Sequence, residues 1–186
     1  MTAALALLVL GGPPKAYLRA LNQIASANTL CVDVYTTDPD GSKKIQTYRY
    51  QRPNRWRIEL DGKPVDVCDG HQRWQRTGEE IKREPAPKTF EADYPHGFDR
   101  FFDRRSPLYD TFLGPTDWTV AGKKRRAYQI RTTEAGSYAG YIVVDAKTYM
   151  PIGHLYLEMG APGPQTDEYR VVKLGTKLPV ETFTLP

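Results

Sequence analysis

Residues Tyr48 to Gln75 read YRYQRPNRWRIELDGKPVDVCDGHQRWQ, and the pattern in that stretch decides the fold class. Tyr48, Tyr50, Trp56, Ile58 and Leu60 are apolar at alternate positions, with Arg49, Gln51, Arg55, Arg57, Glu59 and Asp61 between them. That is the period of half-buried strands with one dry face. Pro53-Asn54 breaks the run because proline lacks the amide proton a strand ladder needs, and Asp61-Gly62 and Asp69-Gly70 are dipeptides that accept the positive φ of tight hairpins. Short antiparallel strands in a meander follow. Arg52 shares parity with Tyr48 and Tyr50, so its guanidinium points to the apolar side, where it must meet carbonyls or a carboxylate.

Working upstream, Leu30, Val32 and Val34 form the first strand, and Asp38-Pro-Asp-Gly41 turns it into the meander. The turn lacks the ligand pattern of a calcium loop. Pro13-Pro14 opens a helix in which Tyr17, Leu18, Leu21, Ile24 and Ala25 recur at helical spacing until Asn28. The apolar run Ala3 to Leu10 is too short to span a bilayer and suits the tail of a signal-peptide core, so residues 1–12 are expected to be a signal remnant and residues 13–186 a single domain. Cys31 and Cys68 fall on strands one and four of the meander, roughly 14 Å apart at about 4.8 Å per strand. They are expected as separate small core residues rather than a disulfide.

Downstream of Trp74 the alternation stops, and residues 79–95 are expected to leave the sheet as a loop. Phe98, Phe101 and Phe102 then share a helical face. Ser106-Pro107 caps a second short helix carrying Tyr109, Phe112 and Leu113 up to Gly114-Pro115. The last third returns to strands around Trp118 to Val120, Tyr128 to Thr133, Tyr138 to Asp145, Ile152 to Met159, Glu168 to Leu174 and Thr182 to Leu185, with a turn at Gly136 among those between them. The class is α+β: a strongly curved antiparallel sheet, an incomplete β-barrel, with helices covering its concave face. The predicted core is Leu30, Val32, Val34, Tyr48, Tyr50, Trp56, Ile58, Leu60 and Trp74.

No catalytic constellation emerges. His71, His96 and His154 are scattered singly, and Walker, GxGxxG, GxSxG and HExxH patterns are lacking, so no enzyme activity, catalytic residue, metal or cofactor is expected. The net charge of +4 favours anionic surfaces without choosing between nucleic acid and lipid. Lys123-Lys124-Arg125-Arg126 falls where a hairpin turns; a solvated hairpin end is the plain reading, phosphate contact the sharper one.

The string Arg52-Pro53-Asn54 followed by Trp56, then Asp69-Gly70 and Trp74, resembles signatures of the outer-membrane lipoprotein carrier superfamily that includes LolA and LolB. Asp145-Ala-Lys-Thr-Tyr-Met-Pro151 and Pro179-Val-Glu-Thr-Phe-Thr-Leu-Pro186 keep that superfamily's order, so the resemblance runs from about residue 14 to the end. It implies a periplasmic or envelope member with a dry interior that accepts acyl chains. It further implies a monomeric, non-enzymatic carrier or chaperone for a lipid or lipidated protein, with an anionic membrane surface as a further partner. The implied pocket is Val32, Val34, Tyr48, Tyr50, Trp56, Ile58, Leu60 and Trp74; the lid is Phe98, Phe101, Phe102 and Phe112, within Gly97 to Gly114. Arg52 ties sheet to lid. The rival is an envelope interaction or sensor module with a filled core and no lipid cargo. Nucleic acid is not expected, because the aromatics fall on the inner face rather than beside the cations.

Overall fold

The computed structural model describes residues 14–102, 111–132, 139–157 and 160–186. Residues 1–12, the Ser106-Pro107 cap with Tyr109, and Gly136 lie outside them. The described chain opens with helix α1 (Lys15–Ser26), which buries Tyr17, Ala20 and Ile24 at helical spacing. Strands β1 (Thr29–Thr37), β2 (Lys43–Gln51), β3 (Arg55–Leu60), β4 (Lys63–Asp69), β5 (Gln72–Thr77) and β6 (Glu80–Pro85) follow as one meander. After a 3-10 turn at Asp99–Phe102 a second meander runs through β7 (Thr111–Val120), β8 (Lys123–Thr132), β9 (Ala139–Asp145), β10 (Pro151–Leu157) and β11 (Gln165–Leu174). The first strand pairs with the last, which joins the meanders into one open eleven-stranded sheet ordered β6-β5-β4-β3-β2-β1-β11-β10-β9-β8-β7.

Register defines the faces. Leu30 opposes Tyr50 and Leu174, Tyr50 opposes Trp56, and Trp56 opposes Cys68. We call this the inner face. It buries Leu30, Val32, Val34, Tyr48, Tyr50, Trp56 and Ile58 in one cluster with Ile24, Phe98 and Phe101. Burial fixes this register, since a one-residue slip would turn the whole set to solvent.

Several expectations need correction. Trp74 is buried, but it opposes Val67, which opposes Arg57, so it lies on the outer face. The C-terminal segment crosses that face: Arg57 donates to the Thr184 carbonyl and Arg83 to that of Pro186. The expected strand Thr182 to Leu185 is instead a 3-10 turn at Val180–Phe183 with Phe183 buried. Leu60, at the end of β3, is 37% exposed. Phe112 and Leu113 are in β7 rather than a helix, and the ring of Phe112 packs edge-on against Tyr17 of α1, away from the other phenylalanines. β7 is an edge strand, where Pro115 leaves no ladder bond unmade and a bulge between Phe112 and Gly114 absorbs the irregularity. Strand β6, expected as loop, is an edge strand with no inward apolar residue to announce it.

Ile142, Val143 and Val144 are consecutive and all buried, because both faces of β9 are covered. Ile142 and Val144 join Tyr17 and Ile130, while Val143 joins Val120, Ala127 and Ile152 with Trp118 against them. Trp118 reaches back over Gly153: a Cβ there would collide with the indole nitrogen and lie 2.6 Å from the Asp167 carbonyl. Glycine is required by that close approach.

Candidate functional site: the strapped inner face

Residues 86–102 run across the inner face as an irregular strap ending in the Asp99–Phe102 turn. The Arg52-Pro53-Asn54 turn at the β2–β3 junction holds it. Arg52 Nε donates to the Ala27 carbonyl at 3.1 Å and Arg52 Nη2 to that of Ala25 at 3.1 Å, both at the C-terminal end of α1; Nη2 also donates to the Phe101 carbonyl. Its guanidinium lies 4.9 Å from the Phe101 ring centroid. One side chain thus bridges sheet, helix and strap. Sequence reasoning missed Asn54, whose amide donates to the Pro87 carbonyl at 2.7 Å and fixes the strap's start. Farther along, Tyr50 Oη donates to the Asp93 carbonyl, and Tyr169 Oη to the His96 carbonyl at 3.0 Å. Gly97, at φ 87°, would bring a Cβ within 3.1 Å of Ile142 and 3.2 Å of Pro151, so the strap also closes on the second meander.

The strap's rings fill the space over the sheet. Phe90 sits edge-on to Tyr50 at 5.6 Å between centroids, Phe102 edge-on to Tyr50 at 4.8 Å, and Phe101 tilted against Phe90 at 5.7 Å. Of the eight residues expected to line a pocket, Val32, Val34, Tyr48, Tyr50, Trp56 and Ile58 come together here; Leu60 and Trp74 do not. Of the four expected lid residues Phe98, Phe101 and Phe102 belong to the strap, and Phe112 does not.

Two polar clusters on the inner face were not anticipated. Asp66 and Arg73 form a buried ion pair at 2.7 Å; Trp56 Nε1 donates to Asp66 at 2.8 Å, and the Arg73 guanidinium lies 5.4 Å from the Trp56 ring. With the tryptophan and a second bond from Arg73 Nε, the carboxylate is well satisfied, as a buried charge must be. Parity carries the signal for this pair, since Asp66 opposes Ile58 and Cys68 opposes Arg73. Near the strap's middle, Thr36 donates to Asp167 at 2.7 Å, His154 Nδ1 lies 3.7 Å from the same carboxylate, and His96 stacks on His154 at 4.2 Å. Burial pushes the Asp167 carboxyl up, but His154 and Thr36 outweigh it and hold it below the usual carboxylate range. Burial pushes the hydroxyls of Tyr48 and Tyr169 well up, so both stay neutral donors. A polar cavity of about 360 Å³ opens beside them, lined by Tyr48, Asp93, His96 and Asp167.

Cys31 opposes Arg49 and Cys68 opposes Trp56, so the two cysteines lie on opposite faces, both buried and free. Burial raises both thiols, the reverse of what a reactive cysteine needs. Among the described residues no group of three His, Cys, Asp or Glu side chains is arranged to hold a metal ion.

No protein-family model matches the chain, and no curated protein sequence matches it. Solved structures do. An uncharacterized conserved protein from Thermus thermophilus is similar at a TM-score of 0.58 and 9% identity, over 92% of this chain and 95% of that one. That likeness shows a shared fold. MucB in the Pseudomonas aeruginosa MucA/MucB complex is matched at a TM-score of 0.41 and 13% identity, over 91% of this chain and 60% of that one. A LolA superfamily protein from Nitrosomonas europaea is matched at a TM-score of 0.33 and 10% identity, over 91% and 97%. These last two likenesses are too loose to carry structural detail across. One open antiparallel sheet is the architecture expected from the sequence.

Proposed function

We propose that this protein binds a lipid or a lipid-modified protein non-covalently, without enzymatic chemistry, on the inner face of its sheet in the periplasm or cell envelope. The strap covers the apolar face when the site is empty, and an acyl chain takes the place of the strap's rings when it lifts. The observation that carries this reading is Arg52, whose guanidinium joins α1 and the strap through three backbone carbonyls. A charged hydrogen bond contributes on the order of 1.5–3 kcal/mol, so a closure held by a few of them is reversible by a ligand that buries comparable apolar surface. The pocket then comprises Val32, Val34, Tyr48, Tyr50, Trp56 and Ile58, with Phe98, Phe101 and Phe102 as the moving cover and α1 as a fixed one.

The second reading is a filled-core interaction module. It is favoured by the ring packing of Phe90, Phe101 and Phe102 on Tyr50. Titration with a fluorescent fatty acid separates the two. Carrier function predicts saturable binding with energy transfer from Trp56, and displacement by unlabelled fatty acid. A filled core predicts no saturable signal.

A further inference from the structure

The β7–β8 hairpin turns at Ala121 and Gly122, both at positive φ, and β8 then opens with Lys123, Lys124, Arg125 and Arg126. All four are exposed; the side chains of Lys124, Arg125 and Arg126 are 72%, 48% and 64% accessible. Lys124 and Arg126 share the single carboxylate of Asp117, at 3.0 and 3.9 Å, and Arg125 lies 4.0 Å from Asp145. The backbone amide of Ala146 donates to the Arg126 carbonyl at 3.0 Å, which brings the β9–β10 turn and exposed Lys147 alongside. Five cations therefore lie around Asp117 and Asp145 at one end of the molecule, and a third carboxylate, Glu168, accepts from the Ala121 amide at the turn while pairing with Arg170. Pairs this exposed contribute little to folding, so stability does not explain the cluster.

A second feature adjoins it. Pairing between β10 and β11 stops at Gly153 opposite Glu168, and beyond that point the strands part. The parting opens a mostly polar cleft of about 400 Å³, where Arg125, Arg170 and Asp145 stand among Val120, Ile152 and Val172. Exposed cations at a hairpin tip beside a polar cleft complement a surface of phosphate headgroups. Nucleic acid fits less well, because single-strand binding needs exposed stacking platforms beside the cations. Trp118, opposite Arg125 in register, is packed down on Gly153 instead.

We propose that the β7–β8 tip, Lys123 to Arg126 with Lys147, is a docking surface for an anionic phospholipid bilayer. Docking there brings the β10–β11 cleft to the headgroup layer. The inference is independent of acyl-chain binding on the inner face: vesicle binding reads headgroup charge and the fatty-acid probe reads the apolar face, so either can fail alone.

The test is co-sedimentation of the full chain with vesicles of phosphatidylcholine, alone or with one part in three phosphatidylglycerol. Binding to the anionic vesicles only is expected, weakening as salt is raised. Each surface cation removed should weaken it by about fivefold, so Lys123→Ala with Lys124→Ala should lose about 25-fold. Lys82→Ala with Arg83→Ala on β6 removes the same formal charge from a different strand and should bind like wild type. Equal sedimentation with both vesicle types would overturn the proposal, as would equal losses for the two double variants. Displacement from anionic vesicles by an oligonucleotide at matched charge concentration would overturn it in favour of nucleic acid.

Discussion

The two meanders use one sheet in different ways. On β2 and β3 of the first meander the inner face is sealed by α1 and the strap, so the dry residues alternate strictly and pack through large rings. On β8–β11 both faces are covered, the inner by Tyr17 and Phe112 and the outer by the returning β7–β8 tip, with smaller side chains in two separate clusters. A face covered by a removable strap can serve a ligand. A strand covered on both faces serves as the frame that holds the strap's far end, at His154 and Tyr169.

The largest effect expected from this contrast is at Trp56, fully buried on the strapped face and bonded to Asp66. Trp56→Ala should lose about 3–5 kcal/mol in urea unfolding. Val143→Ala in the frame, a smaller truncation, should lose clearly less; equal losses would erase the distinction between the two halves. Gly153→Ala comes next. Its Cβ would meet Trp118 and a backbone carbonyl, so the β7–β8 tip must shift, at about 1–3 kcal/mol. Hydrogen exchange should rise in β7 and β8 while β2 and β3 keep their protection.

A smaller effect concerns pH. The lowered Asp167 carboxyl contributes stability above the unfolded carboxylate value of about 3.9, and that contribution is lost as pH falls below it. Asp167→Asn should therefore be less stable than wild type at pH 7, with the two curves converging in acid. A gap that widens on acidification would contradict the assignment.

The same contrast governs how much of the molecule is legible in the sequence. Alternation places Tyr48, Tyr50, Trp56 and Ile58 on one dry face and puts Arg52 with them, because a single buried face imprints a period of two. Trp74 is misplaced by its sequence because an aromatic side chain does not say which face covers it; the C-terminal segment that buries the outer face is remote in the chain. Phe112 is misread because Gly114-Pro115 ends a helix in most settings, whereas an edge strand tolerates it. Strand β6, whose Ile81 is exposed among charged neighbours, has no burial signal to give. His154 stands alone in the sequence, since its partners Asp167 and His96 come from distant segments that only the fold assembles.

The central claim is that Arg52 holds a reversible cover over an apolar ligand face, and Arg52→Leu tests it most directly. The substitution removes all three carbonyl contacts, so the open form should become more populated and the apparent affinity for a fluorescent fatty acid should tighten tenfold or more, the equivalent of about 1.5 kcal/mol. The sheet should stay folded, and hydrogen exchange should quicken in residues 86–102 and at the C-terminal end of α1 while β2 and β3 keep their protection. Unchanged affinity, or no fatty-acid binding by either protein, would contradict the account and favour the filled-core interaction module.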